Sequence, residues 1–165
     1  MFESHVITPP EQAPVWKTIK LGTCKSPGEY RKALKKAGYR IGDWGDAILG
    51  KTPCAQEETE TDLVVISVKE LGYDGAYYKD ICARGVEMRL ELCPAEVGAA
   101  LRLSYKHQPR DEWLRIAMEP ITVSGGHRKI FAVGCDRCGL WLRGDGHPVI
   151  FWRADGRFVF VRRKL

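Results

Sequence analysis

The chain has 165 residues, 44% hydrophobic and 28% charged, with a net charge of +5 and a pI near 8.9. That size and composition describe one ordinary globular domain able to bury a core without covalent staples, and exclude a disordered or fibrous chain. No apolar run approaches the roughly 20 residues that span a bilayer, and the N-terminal stretch lacks the basic and apolar segments of a signal peptide. A cytoplasmic protein with no membrane partner is therefore expected. Its mild basicity permits an anionic partner without requiring one. Cys24, Cys54, Cys82, Cys93, Cys135 and Cys138 allow fifteen pairings in principle, but with no export signal they read as reduced thiols.

Residues 1–14 carry three prolines and no periodicity, and read as a flexible arm. The run V-W-K-T-I-K-L at 15–21 alternates as a strand does. A helix follows over 26–37: Ser26 is its N-cap, Pro27 its first residue, and Glu29 stands three places after the cap. Tyr30, Ala33, Leu34 and Ala37 share one face of it, Arg31, Lys32, Lys35 and Lys36 the other, and Gly38 ends it. A short helical turn over 43–49 and a polar, acidic loop over 50–62 come next. The apolar, β-branched run L-V-V-I-S-V at 63–68 predicts a buried central strand.

Two helices are predicted over 75–88 and 94–105, the second opening on Pro94 with Glu96 near its positive end. The last third reads as strands: W-L-R-I-A-M-E-P-I, K-I-F-A-V-G, L-W-L-R-G, V-I-F-W-R and R-F-V-F-V-R-R-K. Turn chemistry joins them at Ser124-Gly125-Gly126, 135–139, Gly144-Asp145-Gly146 and Asp155-Gly156. The expected architecture is a single α+β domain over 15–165. Its framework is a C-terminal, mostly antiparallel meander, packed on one side with three to four helices from the N-terminal two-thirds.

Four features bear on function. Cys135 and Cys138 form a C-x-x-C at a hairpin tip, which is half of a zinc-ribbon site. His127 lies eight residues before the pair, about 26 Å away along a strand, and His147 lies nine after it, so an ordinary reduced turn is the expectation. The second feature is a set of carboxylates. Glu119 falls within an apolar strand, on the face of Trp113, Arg115 and Ala117. There it can serve as the raised-pKa acid of a glycosidase-like hydrolase, with Glu96 or Glu112 as its partner about 5 to 9 Å away. The bland reading pairs Glu119 with Arg115 on a solvated face and gives Glu96 to its helix dipole.

The third feature is basic and aromatic interleaving on strands. Phe158, Phe160 and Arg162 share a face, Trp141 and Arg143 share another, and Arg153 follows Trp152. Exposed sheet aromatics flanked by arginine are what single-stranded nucleic-acid platforms use, with bases on the rings and guanidiniums on the phosphates. Lys32, Lys35 and Lys36 can widen such a patch. The alternative makes the phenylalanines core and the arginines solvated strand ends. The fourth feature, the helix pair 75–88 and 94–105, is a poor helix-turn-helix, because the second helix opens Pro-Ala-Glu-Val-Gly and offers little that reads bases. No phosphate-cradling glycine loop, HExxH or GxSxG occurs, so no cofactor or metal is expected.

The segments V-W-K-T-I-K-L-G-T at 15–23, A-I-L-G-K at 47–51, L-C-P-A-E-V-G at 92–98 and E-W-L-R-I-A-M-E-P-I-T at 112–122 resemble a family of small bacterial proteins common in candidate-phylum genomes. The resemblance implies one domain from Val15 to Lys164 and carries no functional residue with it. In that family the stretch matching 135–139 is acidic and glycine-rich, so the cysteine pair departs from its pattern. The sequence thus points first to a small basic binding protein that engages single-stranded nucleic acid, and second to a small hydrolase.

Overall fold

A computed structural model of the protein describes residues 13–146 and 150–163. Most of the arm 1–14, and His147, lie outside them. In chain order the elements are β1 (Lys17–Leu21), α1 (Pro27–Lys36), β2 (Arg40–Ile41), α2 (Asp43–Leu49), β3 (Thr59–Ser67), β4 (Gly75–Tyr77), α3 (Tyr78–Glu87), β5 (Leu90–Glu91), α4 (Glu96–Ser104), β6 (Trp113–Ile116), β7 (Ile121–Val123), β8 (His127–Asp136), β9 (Gly139–Asp145), β10 (Phe151–Arg153) and β11 (Arg157–Arg162). Among the described residues no helix is long and apolar enough to cross a membrane.

The α+β class holds, but the sheet is mixed rather than a C-terminal meander. Its order is β1-β3-β11-β6-β8-β9-β2, with β5 beside β11 and β7 beside β8. The β11–β6 and β2–β9 pairs are parallel; the other neighbours are antiparallel. Of the expected C-terminal hairpins, β8–β9 forms. Strand β11 instead returns to the centre, between β3 and β6, because Phe158, Val159 and Phe160 are all buried and an apolar strand needs cover on both faces. The Asp155-Gly156 turn joins β10 to β11 without pairing them, since β10 leaves the sheet to form a two-stranded ladder with β4.

The expected strand 113–121 is likewise broken. β6 and β7 both pair with β8, and the connector 117–120 bows out between them. There Ala117 N–H donates to the Val159 carbonyl (3.0 Å), Met118 N–H to the Tyr78 hydroxyl (2.8 Å) and Phe131 N–H to Met118 Sδ (3.4 Å). Pro120 has no N–H to give a ladder.

Both faces of the sheet are covered at its centre, another departure from helices on one side. A Cβ on Gly98 of α4 would strike Phe131, and one on Gly144 of β9 would strike Trp44 and Ile48 of α2, so α4 and α2 share a face. α1 packs on α4, where the Tyr30 hydroxyl donates to Glu96. Ser26 caps α1 as its pattern requires, accepting from Glu29 N–H at 3.2 Å, while Glu29 reaches back to Lys25 N–H at 2.6 Å. On the opposite face α3 lies against Phe160 through Gly85, and the β4–β10 ladder lays Trp152 edge-on to Phe158 at 5.4 Å. This second layer covers β11; on the same face β6, β9 and β2 carry half-buried or exposed side chains, while Ile130, Ala132 and Gly134 of β8 are buried.

Candidate nucleic-acid interface

Cross-strand register gathers tryptophan and arginine on that face. Trp113 of β6 stands opposite Gly134 of β8, which stands opposite Trp141 of β9, and Trp141 is level with Arg40 of β2. One step along, Arg115, Ala132 and Arg143 form the next row, and Asp145 opposes Ile130 in the third. Period-two alternation puts all of these side chains on one side of the sheet. Gly134 is what lets the ring of Trp113 lie over β8: a Cβ there would come within 2.0 Å of Trp113 Cε3.

The guanidinium of Arg143 sits 4.8 Å from the Trp113 ring centre and 4.2 Å from that of Trp141, and Arg40 sits 5.6 Å from Trp141. Such cation–π contacts contribute about 0.5–1 kcal/mol each at exposed sites. Asp136 ties the row together. Its Oδ1 accepts from Trp141 Nε1 (2.9 Å) and Cys138 N–H (2.8 Å), and its Oδ2 pairs with Arg143 (3.1 Å). The indole N–H first, then the Cys138 amide and Arg143, hold its carboxyl below the ordinary carboxylate range. Arg115 pairs with Asp145 at 3.1 Å and lies 4.9 Å from the Trp152 ring centre. Trp113, Trp141, Arg143 and Arg115 are half-buried and Arg40 is exposed, so part of the row is open to solvent, with Arg143 lying against both indoles.

Of the sequence-predicted binding residues, Trp141 and Arg143 belong to this row. Phe158 and Phe160 do not: both are fully buried beneath the β4–β10 ladder and α3, so neither stacks a base. Arg162 shares their strand face but lies in a shallow groove with Glu60, Thr61, Asp62, Glu91 and Arg163. Arg153 is exposed on β10, alternating with the inward Trp152. Lys32, Lys35 and Lys36 are exposed on α1, in the layer on the other side of the sheet, so they do not widen the row.

The three carboxylates of the hydrolase reading occupy separate settings. Glu96 is buried at the start of α4, accepting from Gly22 N–H (2.8 Å), Ala55 N–H (2.7 Å) and the Tyr30 hydroxyl. Cys24 and Cys54 lie near it, and burial pushes both thiols up. Glu112 accepts from Tyr105 (2.8 Å) and pairs with Arg157 (3.1 Å). Glu119 is exposed in the connector 117–120 rather than mid-strand beside Trp113. Among the described residues the three share no hydrogen-bond partner. Cys135 and Cys138 sit at the β8–β9 turn, and among the described residues no third histidine, cysteine or acid joins them as a metal group. His127 is at the opposite end of β8, edge-on to Trp44 at 5.3 Å.

Sequence reasoning assigned no role to Arg102, and placed Trp113 and Arg115 beside Glu119 rather than, with Arg40, among the binding residues. Arg102 is fully buried in α4, where it donates to Gln108 Oε1 (2.7 Å) and to the carbonyls of Gly134 (3.1 Å), Trp141 (3.2 Å) and Tyr105. From beneath the sheet it therefore grips the cross-strand pair that carries the tryptophans. Burial pushes its guanidinium down to about 10. A signal existed: the run Glu96-Val97-Gly98-Ala99-Ala100-Leu101-Arg102 is apolar around most of its circumference, the mark of a buried helix, so its two charges had to be internal and to find partners there; the Nε of Arg102 finds none among the described residues. For Trp113 the signal was Gly134, because a glycine inside a strand marks close approach by another group. Compared with protein-family models, with curated proteins and with solved structures, the chain finds no match.

Proposed function

We propose that the protein binds single-stranded nucleic acid on the open sheet face, through Trp113, Trp141 and the arginines Arg40, Arg115 and Arg143. The observation that carries this reading is the interleaving of indoles and guanidiniums from β6, β9 and β2 over the small residues Gly134 and Ala132 of β8, with Arg143 between two tryptophans. Aromatic faces stack on bases of any sequence, and a guanidinium with no carboxylate partner can reach a phosphate. No comparable constellation surrounds the three glutamates, so a carboxylate-pair hydrolase has no geometric support.

Fluorescence titration with short labelled DNA and RNA strands tests the reading. Each stacked base contributes about 1–3 kcal/mol, so Trp113→Ala and Trp141→Ala should each weaken binding by about 5- to 150-fold. Replacing Lys32, Lys35 and Lys36 together by alanine should change affinity much less, because they lie across the sheet. Absence of binding to any strand at low salt would refute the proposal.

A further inference from the structure

We infer, resting on the reading above, that this face grips the unpaired bases of a single strand rather than its phosphate backbone, and that Asp136 is the positioning residue that sets this balance. Two of the three guanidiniums already face carboxylates: Arg143 pairs with Asp136 and Arg115 with Asp145, each at 3.1 Å. A phosphate must displace or compete with an anion in place at both. Arg40 gives its Nε to the Cys138 carbonyl at 2.9 Å and has no carboxylate partner among the described residues. Among these five side chains there are three cations against two anions, which leaves Arg40 as the one without a carboxylate partner among the described residues. The exposed lysines of α1 are in the layer on the other side of the sheet and cannot track the same strand.

The indoles, in contrast, are fixed in advance. Trp113 fills the space that Gly134 leaves, and Trp141 is held by its N–H bond to Asp136. Prefixed rings lose little side-chain freedom on stacking, which concentrates the binding in base contacts. Asp136 therefore acts twice: Oδ1 orients Trp141, and Oδ2 withholds Arg143 from phosphate. These two actions are separable. Asparagine can keep the acceptor toward Trp141 and the Cys138 amide while removing the charge that faces Arg143.

The test uses the full chain with labelled oligothymidylate, an abasic strand of equal length and a duplex, each titrated across a salt series. One or two phosphate contacts predict a slope of log K against log salt of about −0.7 to −1.4 for a single strand. The abasic strand and the duplex should bind at least about tenfold more weakly than the natural strand, the loss of one or more stacked bases. Asp136→Asn should steepen the slope by about 0.7 and tighten binding at low salt, as one further phosphate contact requires. Asp145→Asn should do the same through Arg115, which provides an independent second variant. Thermal midpoint and tryptophan emission confirm that each variant is folded.

Three outcomes overturn the inference while leaving nucleic-acid binding intact: a wild-type slope steeper than about −3, an abasic strand bound as tightly as the natural one, or folded Asp136→Asn protein with an unchanged slope. Failure to bind any strand overturns the underlying reading as well.

Discussion

Gly134 is the position at which a single methyl group has the largest foreseeable effect on the open face. The Cβ of Gly134→Ala would overlap Trp113 at Cε3, Cδ2 and Cζ3, and the backbone around it is a paired strand that cannot retreat. We expect a loss of about 1–3 kcal/mol, typical of overpacking, together with a red-shifted tryptophan emission as the indole lifts from the sheet. Denaturant midpoints and emission spectra of wild type and variant check this; an unchanged pair would show that the ring does not rest there. At this scale the sequence was partly legible. Alternation placed Trp141 and Arg143 on one face, but the same alternation on β11 placed Phe158 and Phe160 on a face that the chain buries. Periodicity gives the sidedness of a residue and is silent on what covers that side.

Elements with local signals formed as their residues dictate. The cap of α1 is as the sequence indicates, and of its expected apolar face Tyr30 and Leu34 are buried while Ala37 is exposed; the helix closes through Gly38 at φ +84°, with Tyr39 N–H reaching the Leu34 carbonyl at 3.0 Å. Ser26→Ala removes the acceptor for Glu29 N–H and should destabilise the protein by about 1 kcal/mol, readable as a lower urea midpoint with unchanged slope. A loss below about 0.3 kcal/mol would mean that the Glu29 bond to Lys25 N–H carries the cap alone. Where an element depends on a distant partner, local signals misled. The stretch 75–77 reads as the start of a helix but pairs with β10, and Asp155-Gly156 reads as a hairpin tip but joins strands that never meet. In both, hydrogen bonds to remote backbone outweigh the preference of the few residues involved.

The whole molecule buries several acids whose neutral form the fold favours. Burial first, then the Glu112 hydrogen bond, pushes the Tyr105 hydroxyl up to about 12. Burial first pushes the Cys82 thiol up to about 11, and raises Tyr30, Tyr78 and Cys93 as well. The native state therefore keeps protons that the unfolded chain releases above its ordinary thiol and tyrosine values, and stability must fall as pH rises through about 9 to 12. Urea midpoints at pH 8 and pH 10.5 should differ, the latter being lower; equal midpoints would contradict the burial of these groups.

The sequence by itself determined what depends on neighbours a few residues apart: the class of the domain, the start and stop of α1, the apolar part of β3 (though not its start at Thr59, inside the expected loop, where it pairs with β1), and the shared face of Trp141 and Arg143. Only the tertiary structure decided that β11 returns to the centre of a mixed sheet, that Gly22, Ala55 and Tyr30 are the donors to Glu96, and that the group lying against Gly134 is the ring of Trp113. The reason is physical. Helix periodicity, capping and turn chemistry are energies of short chain segments, whereas strand order and burial arise from contacts between residues far apart in sequence, and many such pairings satisfy the same local pattern.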